Sequence, residues 1–145
     1  MKISLPACAV LVLAGTAACD SKPSWQPRDV GALSLEFPCK PEESAAVVKC
    51  SRSDGTTFSV ATVDKEGLAP EQQLAQTKAY VEGMPKSELL EGGSFPLKWR
   101  EVRTSEAYEN WQWYQGGKEY TVRAAYTSAT PPPIVAEFFS KVKVK

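Results

Sequence analysis

Two hydrophobic spacings divide the chain into elements: every second residue in some stretches, every third or fourth in others. Leu33, Leu35 and Phe37 alternate with Ser34 and Glu36, which predicts a half-buried strand ended by Pro38. Residues 45–52 and 57–63 read as two further strands around Ser53-Asp54-Gly55. A three-residue loop with Gly55 in the left-handed region sets Cys50 opposite Phe58 and Val48 opposite Val60. A two-residue Asp54-Gly55 turn would pair Val60 with Lys49, so the apolar match selects the longer loop. The period then changes. Pro70 to Gly83 reads as a helix with proline in its first turn, Glu71 near its positive end and Gly83 as its stop. Its stripe of Leu74, Thr77, Val81 and Met84 is expected on a sheet, with Lys78, Glu82 and the glutamines in water.

Beyond the helix, residues 87–91 form a short strand, Gly92-Gly93 a break, and residues 95–103 an extended run containing Trp99. The clearest local signal is the aromatic-rich segment 108–126 around Gly116-Gly117. A two-residue turn there pairs Gln115 with Lys118, Trp113 with Tyr120 and Trp111 with Val122 on one face, which is expected to be core. The other face pairs Tyr114 with Glu119, Gln112 with Thr121, Asn110 with Arg123 and Tyr108 with Ala125, and is expected to meet solvent or a ligand. Pro131-Pro132-Pro133 fixes the entry to a last helix with the stripe Ile134, Val135, Phe138, Phe139 and Val142; Lys141, Lys143 and Lys145 suit its negative end. The pattern predicts an α+β fold, an antiparallel sheet of about five to seven strands with two helices, over residues 31–145 as a single globular domain.

Cys39 continues the alternation of Leu33, Leu35 and Phe37, and Cys50 falls on the apolar face of its strand, so both thiols point inward. A bond between them would stabilise by roughly 3 kcal/mol. A tight hairpin around Pro41-Glu42-Glu43 would set Cys50 opposite about residue 34, too far from Cys39 to join, so the bond requires a wide, irregular connection. The expectation is that it forms.

The first residues follow a different pattern. Lys2 supplies a positive start, residues 3–14 are apolar apart from Ser4, and Gly15-Thr16-Ala17-Ala18 are small residues in front of Cys19. These are the three regions of a signal peptide, here residues 1–18. The apolar run falls short of the ~20 residues a membrane-spanning helix needs. Cys19 directly after the small residues resembles the lipobox of bacterial lipoprotein precursors, with Thr16 where that family most often has Leu. The resemblance implies diacylglyceryl transfer to Cys19, cleavage before it and acylation of the new amine. It also implies a bilayer as partner, an anchored protein facing the periplasm, and, from Asp20, retention in the inner membrane. Cysteine parity agrees. Cys8 leaves with the signal, and a lipid on Cys19 leaves Cys39 and Cys50 as a matched pair in an oxidising compartment. Residues 19–30, polar with two prolines, are expected to form a flexible tether below the domain, in which Trp25 either enters the membrane interface or docks on the domain, with docking preferred.

Composition narrows the chemistry. The 145 residues include 17 basic and 17 acidic side chains, and the signal removes only Lys2 from that balance, so no nucleic-acid partner is expected. Histidine is absent. The side chain most used for acid–base work near neutral pH, for nucleophile activation and for catalytic zinc is therefore not available, and neither metal nor cofactor is expected. The leading expectation is a non-catalytic binding or scaffolding module, with an envelope protein as a possible partner and Tyr108, Gln112, Tyr114 and Arg123 as its face; ordinary cross-strand pairing explains the same residues. The alternatives are an enzyme using carboxylates, Glu106 with Glu109 or Glu42 with Glu43, and a soluble periplasmic protein without lipid.

Phe37-Pro38-Cys39-Lys40-Pro41 at the end of the first strand and Phe138-Phe139-Ser140-Lys141-Val142 near the end of the chain resemble a family of small exported bacterial domains. The resemblance implies a PsbP-like α/β/α sandwich. Most members have no assigned activity, so it carries no catalytic residue over. Cys39 stands where the family often has Gly, which fits a lineage-specific disulfide.

Overall fold

A computed structural model describes residues 22–145, so the expected signal segment, Cys19 and Asp20 lie outside the described residues. In chain order the elements are β1 (Gln26–Val30), β2 (Leu33–Phe37), β3 (Glu42–Glu43), β4 (Val47–Ser51), β5 (Thr57–Asp64) and α1 (Pro70–Gly83). They continue as β6 (Ser87–Glu91), β7 (Leu97–Val102), β8 (Ala107–Gln115), β9 (Lys118–Tyr126), α2 (Pro133–Ser140) and β10 (Lys143–Val144). Among the described residues the strands form two antiparallel sheets: a three-stranded one in the order β1-β2-β10, and a seven-stranded one in the order β3-β4-β5-β9-β8-β7-β6. The fold is α+β.

The alternation selects the pairing. Cys50 faces Phe58 and Val48 faces Val60 across β4 and β5, and Gly55 takes φ +87° in the loop between them, a region open to glycine. On β8 and β9, Trp113 faces Tyr120 and Trp111 faces Val122. One face of the large sheet therefore carries Phe58, Val60, Trp113, Tyr120, Val122, Ala124 and Tyr126 into the main core. The small sheet adds Leu33, Leu35 and Phe37, and α2 adds Val135, Phe138 and Phe139. Phe138 packs on Phe58 at 4.7 Å between ring centroids, and Phe139 stacks on Trp111 at 4.7 Å. Each such fully buried side chain contributes about 1.5–3 kcal/mol of transfer free energy, so α2 is held by its apolar stripe.

Two expectations change. The tether does not run to residue 30: Gln26–Val30 pairs along all of β2. Arg28 and Val30 are half-buried there, and Trp25 takes the docked one of its two expected positions, against the core beneath the Lys141 ammonium, 4.6 Å from its ring. A short polar strand with a proline is legible only through its partner, because an edge strand tolerates both. The lysines after α2 do not simply answer a helix end, since Lys143 and Val144 extend the small sheet beside β2. Lys141 reaches Glu36 at 3.4 Å and Lys145 reaches Asp29 at 3.4 Å.

The cysteine geometry follows the expectation of a bond across a wide connection. β2 and β4 are not hairpin partners. The chain leaves the small sheet after Phe37 and enters the large one at β3, where Glu42 pairs with Lys49. At that crossing Cys39 comes over Cys50, and the two are joined in a disulfide with a Cα–Cα distance of 5.7 Å and a sequence separation of 11.

Candidate functional site

The opposite face of the large sheet is built differently. α1 has a weak apolar stripe, and it lies over β6, β7 and β8 on a small second core of Val81, Leu97 and Trp99, with Leu74, Met84, Leu89 and Phe95 around it. The rest of that face, on β9, β5 and β4, keeps small and polar residues such as Thr121, Ser59 and Ala61. The step from helix to uncovered strands leaves a groove of about 450 Å³, within the ~300–1,000 Å³ usual for small-molecule sites.

Spacing along α1 aims its polar groups into this step. Gln73, Thr77 and Val81 follow one another at four-residue intervals and share one side of the helix. Val81 meets the apolar core, while Gln73 and Thr77 stand at the groove. Gln73 is 3 % exposed and Gln112 of β8 is 4 % exposed. Gln112 Nε2 donates to Thr77 Oγ1 at 3.2 Å, and Gln73 Nε2 donates to Glu119 Oε2 at 2.5 Å. Arg123 Nε donates to Asn110 Oδ1 at 2.7 Å, beneath the helix-covered half of the sheet. Three buried polar atoms in this region, Gln73 Oε1, Trp99 Nε1 and Asn110 Nδ2, have no hydrogen-bond partner among the described residues. Leaving such groups unpaired costs about 1–3 kcal/mol each, so their collection beside a groove marks a place where polar groups are held ready.

The four residues expected to share a binding face separate into two pairs. Gln112 and Arg123 line the groove. Tyr114 does not: its hydroxyl lies 2.9 Å from both Lys65 O and Leu68 O and secures the connection from β5 to α1. Tyr108 stands outside the groove with its ring 5.0 Å from both the Arg103 and the Arg123 guanidinium. Its hydroxyl donates to Glu106, and that bond, with partial burial second, raises its pKa above the ordinary phenol value. The face is therefore not an open solvated sheet. Asn110 is fully buried and Gln112 almost so, the latter bonded to Thr77 of α1.

Gln73, Gln76, Tyr80, Trp99 and Glu119 join the site without having been singled out in the sequence. Glutamines on α1 were expected in water, yet the four-residue step from Gln73 through Thr77 to Val81 already places Gln73 on the inner side. The carboxylates considered for acid–base work do not converge. Glu106 bonds Tyr108, Glu109 pairs with Arg100 at 3.6 Å, and Glu42 and Glu43 lie exposed on β3. Among the described residues no group of three or more His, Cys, Asp or Glu side chains is gathered as for a metal ion, and no helix is long and apolar enough to cross a membrane. Comparison with protein families and with curated proteins gives no match for this chain.

Proposed function

We propose that the protein is a lipid-anchored lipoprotein of the cell envelope whose globular domain is a non-catalytic binding module. The observation that carries it is the Cys39–Cys50 bond. With Cys8 inside the signal segment and these two joined, Cys19 is the one cysteine left for a lipid, and a disulfide suits an oxidising compartment. Two or more acyl chains on one residue hold a small domain at a bilayer, since each buried methylene is worth about 0.8 kcal/mol. The binding role is supported by the groove between α1 and β9, where amide and hydroxyl side chains are buried and fixed by one another before any ligand arrives.

Fractionation of cells expressing the native chain and Cys19→Ala tests the anchor. The native protein is expected in the membrane pellet, resistant to high salt and released by detergent. Cys19→Ala is expected in the soluble periplasmic fraction or retained as unprocessed precursor. Native protein recovered wholly in the soluble fraction would contradict the anchored reading.

A further inference from the structure

We infer that the groove between α1 and β9 is a saccharide-binding site; the inference rests on the binding-module reading and names its ligand class. Its lining includes a set of amides and hydroxyls: Gln73, Gln76 and Thr77 from α1, Gln112 from β8 and Thr121 from β9. A carboxamide offers donors and an acceptor in one plane, and a sugar hydroxyl both donates and accepts, so vicinal hydroxyls are the natural complement of such a set.

Two side chains of the lining hold an unpaired polar atom. The acceptor Gln73 Oε1, on a residue 3 % exposed, and the donor Trp99 Nε1, on a residue 5 % exposed, have no partner among the described residues; both residues line the groove. The apolar surface on offer is aromatic. Trp99 lies in the floor and Tyr80 stands at the rim, 67 % exposed, where a ring can take the C–H face of a pyranose.

Other ligand classes fit less well. The lining contains no leucine, isoleucine, valine, methionine or phenylalanine, the side chains that an apolar peptide anchor or an acyl chain would need. Lys65 and Arg123 bring positive charge, but Glu119 stands with them and Arg123 is already engaged with Asn110 and Tyr108. A phosphate site would call for donors free of a neighbouring carboxylate.

The full-length protein in detergent micelles, screened on an array of neutral and acidic oligosaccharides and titrated with the best of them by calorimetry, tests the inference. Tyr80→Ala/Gln76→Ala serves as the groove variant, because both side chains are exposed on α1 and circular dichroism checks that it folds. Saturable saccharide binding, weakened about tenfold or more in the variant, is the expected result. Failure of every saccharide to bind, or binding untouched by the double substitution, overturns the inference. A peptide array run beside it separates two failures. Peptides that bind and are lost in the variant would reject the ligand class and leave the binding module standing, whereas the state of Cys19 is read elsewhere and does not enter.

Discussion

Gly31 turns β1 into β2 at φ +56°, and a Cβ there would fall onto the Tyr120 hydroxyl, which accepts a hydrogen bond from the Ala32 amide at 3.1 Å. Both the backbone region and the close approach demand glycine. Gly31→Ala is expected to cost about 2–3 kcal/mol in urea unfolding; an unchanged midpoint would show that the small sheet does not close on Tyr120 as described. Asp54 carries the pH dependence at this scale. Burial pushes its carboxyl up, but the Thr56 amide at 2.8 Å, the Thr56 side chain and the Arg52 guanidinium together outweigh it and hold the pKa below the ordinary aspartate value. A carboxylate whose folded pKa is lowered stabilises the fold above its unfolded value of about 3.9 and loses that contribution as pH falls through the folded value. Asp54→Asn is therefore expected to lower stability near neutral pH and to flatten its decline below about pH 4, measured as the urea midpoint across the acid range; parallel curves for the two proteins would refute this role.

At the scale of elements, much was readable because the apolar alternation is strong. The registers of Cys50 with Phe58 and of Trp113 with Tyr120 follow from matching large apolar residues across turns of defined length. The bounds of α1 follow from proline at its start and Gly83 at its end. What the sequence hid are the elements without their own apolar signal. β1 is polar and carries a proline, while β3 and β10 have two residues each and exist only as pairings. The site was half legible for a related reason. Alternation on β8 puts Gln112 and Arg123's partner Asn110 on one face, but only the long-range docking of α1 turns that face into a groove and brings Gln73 to Glu119. The crossing from the small sheet to the large one was legible only as the wide connection that a Cys39–Cys50 bond requires, and the disulfide clamps it. Replacing both cysteines (Cys39→Ser/Cys50→Ser) is expected to lower unfolding free energy by roughly 3 kcal/mol, as the chain-entropy estimate gives for so short a loop. Equal stability of the two proteins under non-reducing conditions would mean that the crossing needs no clamp.

For the whole molecule, the strand β1, the docked Trp25 and the Ser24 amide that donates to Pro38 O start the folded domain at about residue 24 and not at 31. On the anchored reading the domain therefore sits close to the bilayer, with the end that bears Lys22, Lys40 and the 51–53 loop nearest the lipid. The main core, closed by α2 and the small sheet, stiffens one face of the large sheet, and the other face bears the groove. On the proposed reading, an anchor, a clamped sheet crossing and a pre-arranged polar groove belong together in a protein that holds a ligand at the membrane without transforming it. The most direct test of that account is the intact and peptide-level mass of the protein extracted from membranes with detergent. The account predicts a chain that begins at Cys19, carries an acylglyceryl adduct on that residue and contains Cys39 and Cys50 in one disulfide-linked peptide pair. A chain recovered without detergent, with Cys19 unmodified or removed, would contradict it.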